Sequence, residues 1–106
     1  MKSLSTQFNE IVFLQHILTI KIEDAGTYFK SVGYSDNYRS SYEAVLTATL
    51  DNGDVVELAD YKDYNTCEDI FECIAEWASL EDDTSVFVLW HEDFEDEIKK
   101  QKEKYG

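Results

Sequence analysis

Proline is absent from this 106-residue chain and glycine occurs only four times, so the backbone has few enforced breaks. Cations are scarce as well: nine Lys and Arg stand against 23 Asp and Glu, a formal net charge of −14. That balance disfavours direct binding to nucleic acid or to an anionic membrane surface, because phosphate contacts are made by Lys and Arg. Two cysteines, Cys67 and Cys73, are too few for a disulfide framework. Six positions apart on one helix, they fall on different faces and too far apart to bridge. No signal-peptide pattern is expected at the start, where Asn9, Glu10, Gln15 and His16 break the apolar stretch. No apolar run approaches the ~18 residues of a membrane span. A reducing cytoplasm is the expected location.

Catalytic chemistry is also thinly supplied. His16 and His91 are the only histidines, and each sits at the end of an apolar strand pattern. A nucleophile needs a base and an orienting group beside it, and no such constellation is visible. The chain has no glycine-rich phosphate loop and no HExxH or CxxC spacing. Two acid-rich stretches, at 51–54 and 60–65, offer oxygens but lack the glycine and glutamate spacing of a calcium loop. No catalytic residue, metal or cofactor is therefore expected, and the chain is read as a non-enzyme.

What remains is enough to fold. With 43% hydrophobic and 14% aromatic residues, positions 1–106 can bury one core and form a single acidic α+β domain. Ser5-Thr6 ahead of Phe8, Ile11, Val12 and Gln15 predicts a short amino-terminal helix. Alternation over 16–23 predicts a strand with Leu18, Ile20 and Ile22 on one side. Residues 24–41 read as loop, with one helical turn near 28–32. A hairpin follows: 42–50 and 55–58 flank Asn52-Gly53, the signature of a type I′ turn. Thr66 as cap, Asp69 three positions on, and Ile70, Phe71, Ile74, Trp77 and Ala78 predict a helix over 67–80. Residues 84–91 are apolar on both faces, as in a covered central strand, and could be reached from 55–58 by a crossover through that helix. The last helix, 92–105, has acids early and lysines late, matching its dipole. The expected fold is about four mostly antiparallel strands in one sheet, with two or three helices packed on it.

The charge is strongly uneven. Residues 1–50 carry five acids and four bases, whereas residues 51–98 carry seventeen acids and only Lys62. Glu68, Glu72 and Glu76 repeat at i, i+4 and i+8 with Asp69 beside them, a spacing that destabilises a helix through like-charge repulsion. Glu81, Asp82 and Asp83 extend the strip past the helix end, where the dipole disfavours anions. Asp93 and Asp96 belong to a third cluster at the start of the last helix. Local rules broken repeatedly in one direction point to a binding surface. Tyr61 and Tyr64 are candidate uncharged anchors for it.

Carboxylates one helical turn apart are ~5–6 Å from each other, close to the spacing of backbone phosphates. The expected partner is accordingly a basic protein, one that binds or cleaves nucleic acid, whose cleft this chain would occlude. In size and charge the chain is similar to phage anti-defence proteins (anti-CRISPR and anti-restriction) and to immunity proteins that neutralise nuclease toxins. The segment Phe71-Glu72-Cys73-Ile74-Ala75-Glu76-Trp77 resembles a stretch of the immunity proteins of ribosome-cleaving colicins. Another expectation is an interaction module that binds through apolar contacts at 24–41 or 84–91.

Overall fold

Thr6 decides how the amino terminus folds. Its Oγ1 accepts from the amides of Phe8 (3.1 Å) and Glu10 (3.2 Å), and Asn9 takes a left-handed φ of 61°. A hydroxyl bonded this way offers the backbone an alternative to helix. In the computed structural model, which describes residues 1–81 and 84–106, the predicted amino-terminal helix is replaced by a hairpin. Its strands are β1 (Ser3–Ser5) and β2 (Ile11–Phe13).

The second sheet follows the sequence pattern more closely. β3 (Ile17–Asp24) pairs antiparallel with β4 (Ala44–Leu50), which pairs antiparallel with β5 (Val55–Tyr61). An irregularity between Ile17 and Thr19 leaves Leu18 69% exposed, so Ile17 joins Ile20 and Ile22 against the core in its place. The β4–β5 connection is not a type I′ turn. Gly53 alone has positive φ (91°), its amide donates to Leu50 O, and the Leu50 amide donates to Asp54 O. That is a three-residue loop with glycine at the bulge position. Between β3 and β4 the expected loop begins with α1 (Ala25–Ser31), whose cap Asp24 accepts from the Thr27 amide at 2.9 Å.

α2 (Tyr64–Ser79) starts three residues before the predicted boundary. Its cap is Asp63, which accepts from the Asn65 amide at 2.9 Å, so Thr66 and Asp69 are not a capping box. Carboxylates of Glu92 and Glu43 receive the neighbouring amides of Lys62, Asp63 and Tyr64. The helix buries Cys67, Ile70, Cys73, Ile74 and Trp77. Trp77 packs on Phe87 with centroids 5.5 Å apart and donates from Nε1 to Ser85 Oγ at 2.8 Å. At the other end of the chain Lys2, only 9% exposed, donates to the carbonyls of Trp77 (2.8 Å), Ala78 and Leu80. One cation thus satisfies the open end of α2, a favourable place for positive charge.

After α2 the chain enters β6 (Val86–Val88), which pairs parallel with β1. The strand orders are β2-β1-β6 and β3-β4-β5, two three-stranded sheets rather than one sheet of four. Among the described residues β6 is therefore an edge strand, not a covered central one, and α2 passes between sheets instead of making a crossover within one. α3 (Glu95–Tyr105) closes the fold beside α2, burying Ile98. The core runs from Leu4 and Phe87 through Trp77 and Ile70 to Leu46 and Leu58. Both cysteines are free and buried, and burial pushes the Cys67 thiol up to about 12.

The helix start gives a direct test. Asp63→Ala is expected to cost about 1 kcal/mol through the lost cap, while Thr66→Ala, inside the helix, costs less than half as much. Urea denaturation of both variants decides it, and the reverse ranking would move the cap back to Thr66.

Candidate functional site

A helical wheel separates the carboxylates of α2. With the buried residues facing the sheets, Glu68, Glu72 and Glu76 lie on the opposite, exposed side. None of the three takes part in an ion pair among the described residues. Asp69 differs, because it faces α3 and meets Lys102 Nζ at 2.9 Å. Glu81 is exposed just beyond the helix, and Asp82 and Asp83 lie outside the described residues. Asp93 is exposed in the turn before α3, 3.4 Å from His91 Nδ1, and Asp96 is exposed in the first turn of that helix.

The helix starts come together. A groove between them is lined by Asp63, Thr66, Glu92, Glu95, Lys99 and Lys102. Lys99 and Lys102 thus bring positive charge beside the acids of both helix starts. The lysines complement the end of α3, as predicted, but one of them also neutralises a carboxylate expected at the interface. The tyrosines divide too. Tyr64 is 43% exposed at the first position of α2. Tyr61 is 0% exposed within the core and cannot anchor a partner. Its position at the end of β5 turns its ring onto the same face as Ala44 and Ala59.

The 24–41 segment keeps part of its expected open apolar surface, with Val32 51% and Tyr34 45% exposed, and buries the rest. Phe29 is 2% exposed, beneath α1 with Ala25 and Val45. Tyr34 and Tyr38 stack on each other with centroids 3.9 Å apart, leaving Tyr34 partly open.

A second cluster escaped the sequence reading. On the face of the β3–β5 sheet away from the main core, β5 presents Glu57 and Asp60. Asp60 is 2% exposed and ion-paired with Arg39 Nη1, while its own amide donates to Gln7 Oε1 at 2.9 Å. Arg39 holds a left-handed φ of 44° and lies over the rings of Tyr38 and Tyr42, at 5.6 and 5.2 Å. Beside them Thr47 Oγ1 donates to Glu23 Oε2 at 3.1 Å. Burial, reinforced by the Asp60 charge and opposed by Arg39, pushes the Glu57 carboxyl from 4.5 up to about 7. Burial raises Asp60 as well, with Arg39 pulling it down. Two acids inside an otherwise apolar strand, Val-Val-Glu-Leu-Ala-Asp-Tyr, were the available signal. Arg39 was not legible as their partner, because it arrives from a distant loop. One cation beside a buried and a half-buried carboxyl can hold a proton near neutrality. With Asp60 2% exposed and paired with Arg39, the nest reads as a structural element that ties the 39–42 segment to β5.

The sign of its pH effect follows from that shift. The folded state binds the Glu57 proton more tightly than the unfolded chain, so this stabilisation is complete below 4.5 and is lost as pH rises through about 7. Glu57→Gln is expected to add about 1 kcal/mol at high pH, discounted for the solvent around this half-exposed group. It should add little near pH 5, so that thermal unfolding becomes less pH-dependent. A gain of the same size at both pH values would refute the assignment.

Among the described residues no group of three or more His, Cys, Asp or Glu converges as metal ligands would, and no helix is long and apolar enough to cross a membrane. Comparison with family models, curated proteins and solved structures finds no match to this chain.

Proposed function

We propose that the chain is a non-enzymatic, stoichiometric inhibitor whose α2 strip occupies the basic nucleic-acid cleft of a target protein. The observation that carries the reading is the state of Glu68, Glu72 and Glu76: three exposed carboxylates in one row, none ion-paired among the described residues. The row is held rigidly, because α2 is capped by Asp63, clamped at its far end by Lys2 and packed along its length. Prealigned charge of one sign lowers the ordering cost of binding and accelerates encounter with an oppositely charged cleft.

Asp93 and Asp96 extend the contact around the start of α3, with Glu81 at the opposite end of α2. Tyr64 provides the uncharged anchor, and the paired Asp69 contributes only if Lys102 lets go of it. Anti-defence activity against a nuclease complex is the preferred form. Neutralisation of a single nuclease toxin uses the same chemistry.

Replacing Glu68, Glu72 and Glu76 together by Gln removes two like-charge i, i+4 contacts and should raise stability by about 0.5 kcal/mol. The same variant should bind its target roughly tenfold more weakly, or worse, if each exposed pair is worth up to ~1 kcal/mol. Capture from host extract at about 50 mM salt, repeated at about 500 mM, supplies the readout. Proteins retained by the wild-type chain at low salt are then assayed for nucleic-acid binding with and without it. Retention of the same proteins by the triple variant, or retention indifferent to salt, would remove α2 from the interface.

A further inference from the structure

The acid-poor half of the molecule carries an open sheet edge. β3 has β4 on one side, and among the described residues no strand lies on its other side. Which backbone groups face outward follows from the register. The Ala25 amide donates to Glu43 O at 3.0 Å, and the antiparallel ladder pairs Asp24 with Ala44, Glu23 with Val45, and so on back to Thr19 with Thr49. Bonded and non-bonded pairs alternate in such a ladder. Glu23, Lys21 and Thr19 therefore exchange hydrogen bonds with β4. Ile20 and Ile22 direct their N–H and C=O groups to the open side; Asp24 offers only its N–H there, because its carbonyl, at the cap of α1, accepts the first bond of that helix.

We propose that this edge pairs with the β3 edge of a second copy of the chain, antiparallel and centred on Ile22, joining two three-stranded sheets into one of six strands. In that register Ile22 exchanges both hydrogen bonds with Ile22 of the second copy, and the Asp24 amide donates to Ile20 O. The charges select it. Lys21 lies opposite Glu23 of the second copy, and Glu23 opposite Lys21, at the closely spaced non-bonded positions. A shift that centres the pair on Lys21 would instead set two lysines face to face. Within one chain Lys21 and Glu23 are 3.5 Å apart, so the exchange needs only a change of partner.

Two further observations favour a copy of the same chain over another occupant. Residues 1–50 carry five acids and four bases, so this edge is the region where two molecules of net charge −14 can approach with least repulsion. Ile20 and Ile22 are only half-buried, on the sheet face that meets α2, and the adjoining groove is lined by Leu14, Ile17, Leu18, Phe71 and Ala75. A second Ile22 laid against the first would cover apolar surface that this sheet leaves open. The contact is distinct from the Glu68–Glu76 strip and does not depend on the inhibitor reading.

Sedimentation velocity at about 0.05–1 mM protein tests it, with salt raised to about 0.5 M so that the acidic faces are screened. The dimer fraction should rise with both protein and salt, the opposite salt response to that of a basic partner held on α2. Lys21→Glu and Glu23→Lys should each weaken association at least tenfold, and the double exchange should restore it. Because either single change could also disturb the Thr47–Glu23 hydrogen bond, amide exchange of the unaltered chain supplies an independent readout. The Ile22 and Asp24 amides should gain protection as the protein is concentrated. A wild-type chain that stays monomeric throughout overturns the proposal. So does a dimer indifferent to the single changes, or edge amides that exchange equally fast when dilute and concentrated.

Discussion

Nine cations have to serve a chain with 23 carboxylates, and where each is placed determines which parts can be rigid. Lys2 is the most consequential. Its ammonium reaches 75 residues along the sequence to the last carbonyls of α2, lying 5.5 Å from the Trp77 ring centroid. Without it, a helix that lacks a basic residue in its last turn would end in unmatched carbonyl dipoles beside further acids. Arg39 does the equivalent for Asp60, and Lys102 ties α3 to Asp69. Cations used internally in this way leave the outer row of α2 without counter-charges of its own. The bare carboxylate face is thus partly a by-product of how the fold is secured.

The dipole ends of the helices obey the same economy from the other direction. Acids are abundant, so they are used as caps: Asp24 at α1, Asp63 at α2, and Glu92 and Glu43 on the amides just around that start. Four acids that look redundant in the sequence therefore have structural employment. Acidity alone does not identify a binding residue, and separating capping acids from free ones is what narrows the candidate surface to α2 and its flanks.

Legibility in the sequence tracked the range of the interactions involved. The 3.6-residue pattern of Ile70, Ile74 and Trp77 and the Asn52-Gly53 signal depend on neighbours, and both elements formed close to where they were expected. The amino-terminal hairpin was missed because Thr6 turns its hydroxyl on the local backbone and because β1 is paired on its other side by residues 86–88. The β2-β1-β6 sheet was missed for the same reason, since nothing near residue 86 announces a partner at residue 3. In the candidate site, the row Glu68, Glu72 and Glu76 was readable from helical spacing. The neutralisation of Asp69, the burial of Tyr61 and the Arg39 nest were not, because each is set by a side chain more than twenty positions away or by which face a strand end turns inward.

The parallel pairing of β1 with β6 also orders events in time. Residues 3–5 leave the ribosome well before their partner at 86–88. Until it emerges, β1 has only β2 beside it and Lys2 has no helix end to grip. A three-residue hairpin of that kind is not stable alone. The β3–β5 sheet, built from nearer contacts, can assemble on the growing chain, while β1 waits for residues 86–88. Docking of β1 and Lys2 then follows the synthesis of α2 and β6, and it is the event that locks α2, with its row of carboxylates, into place.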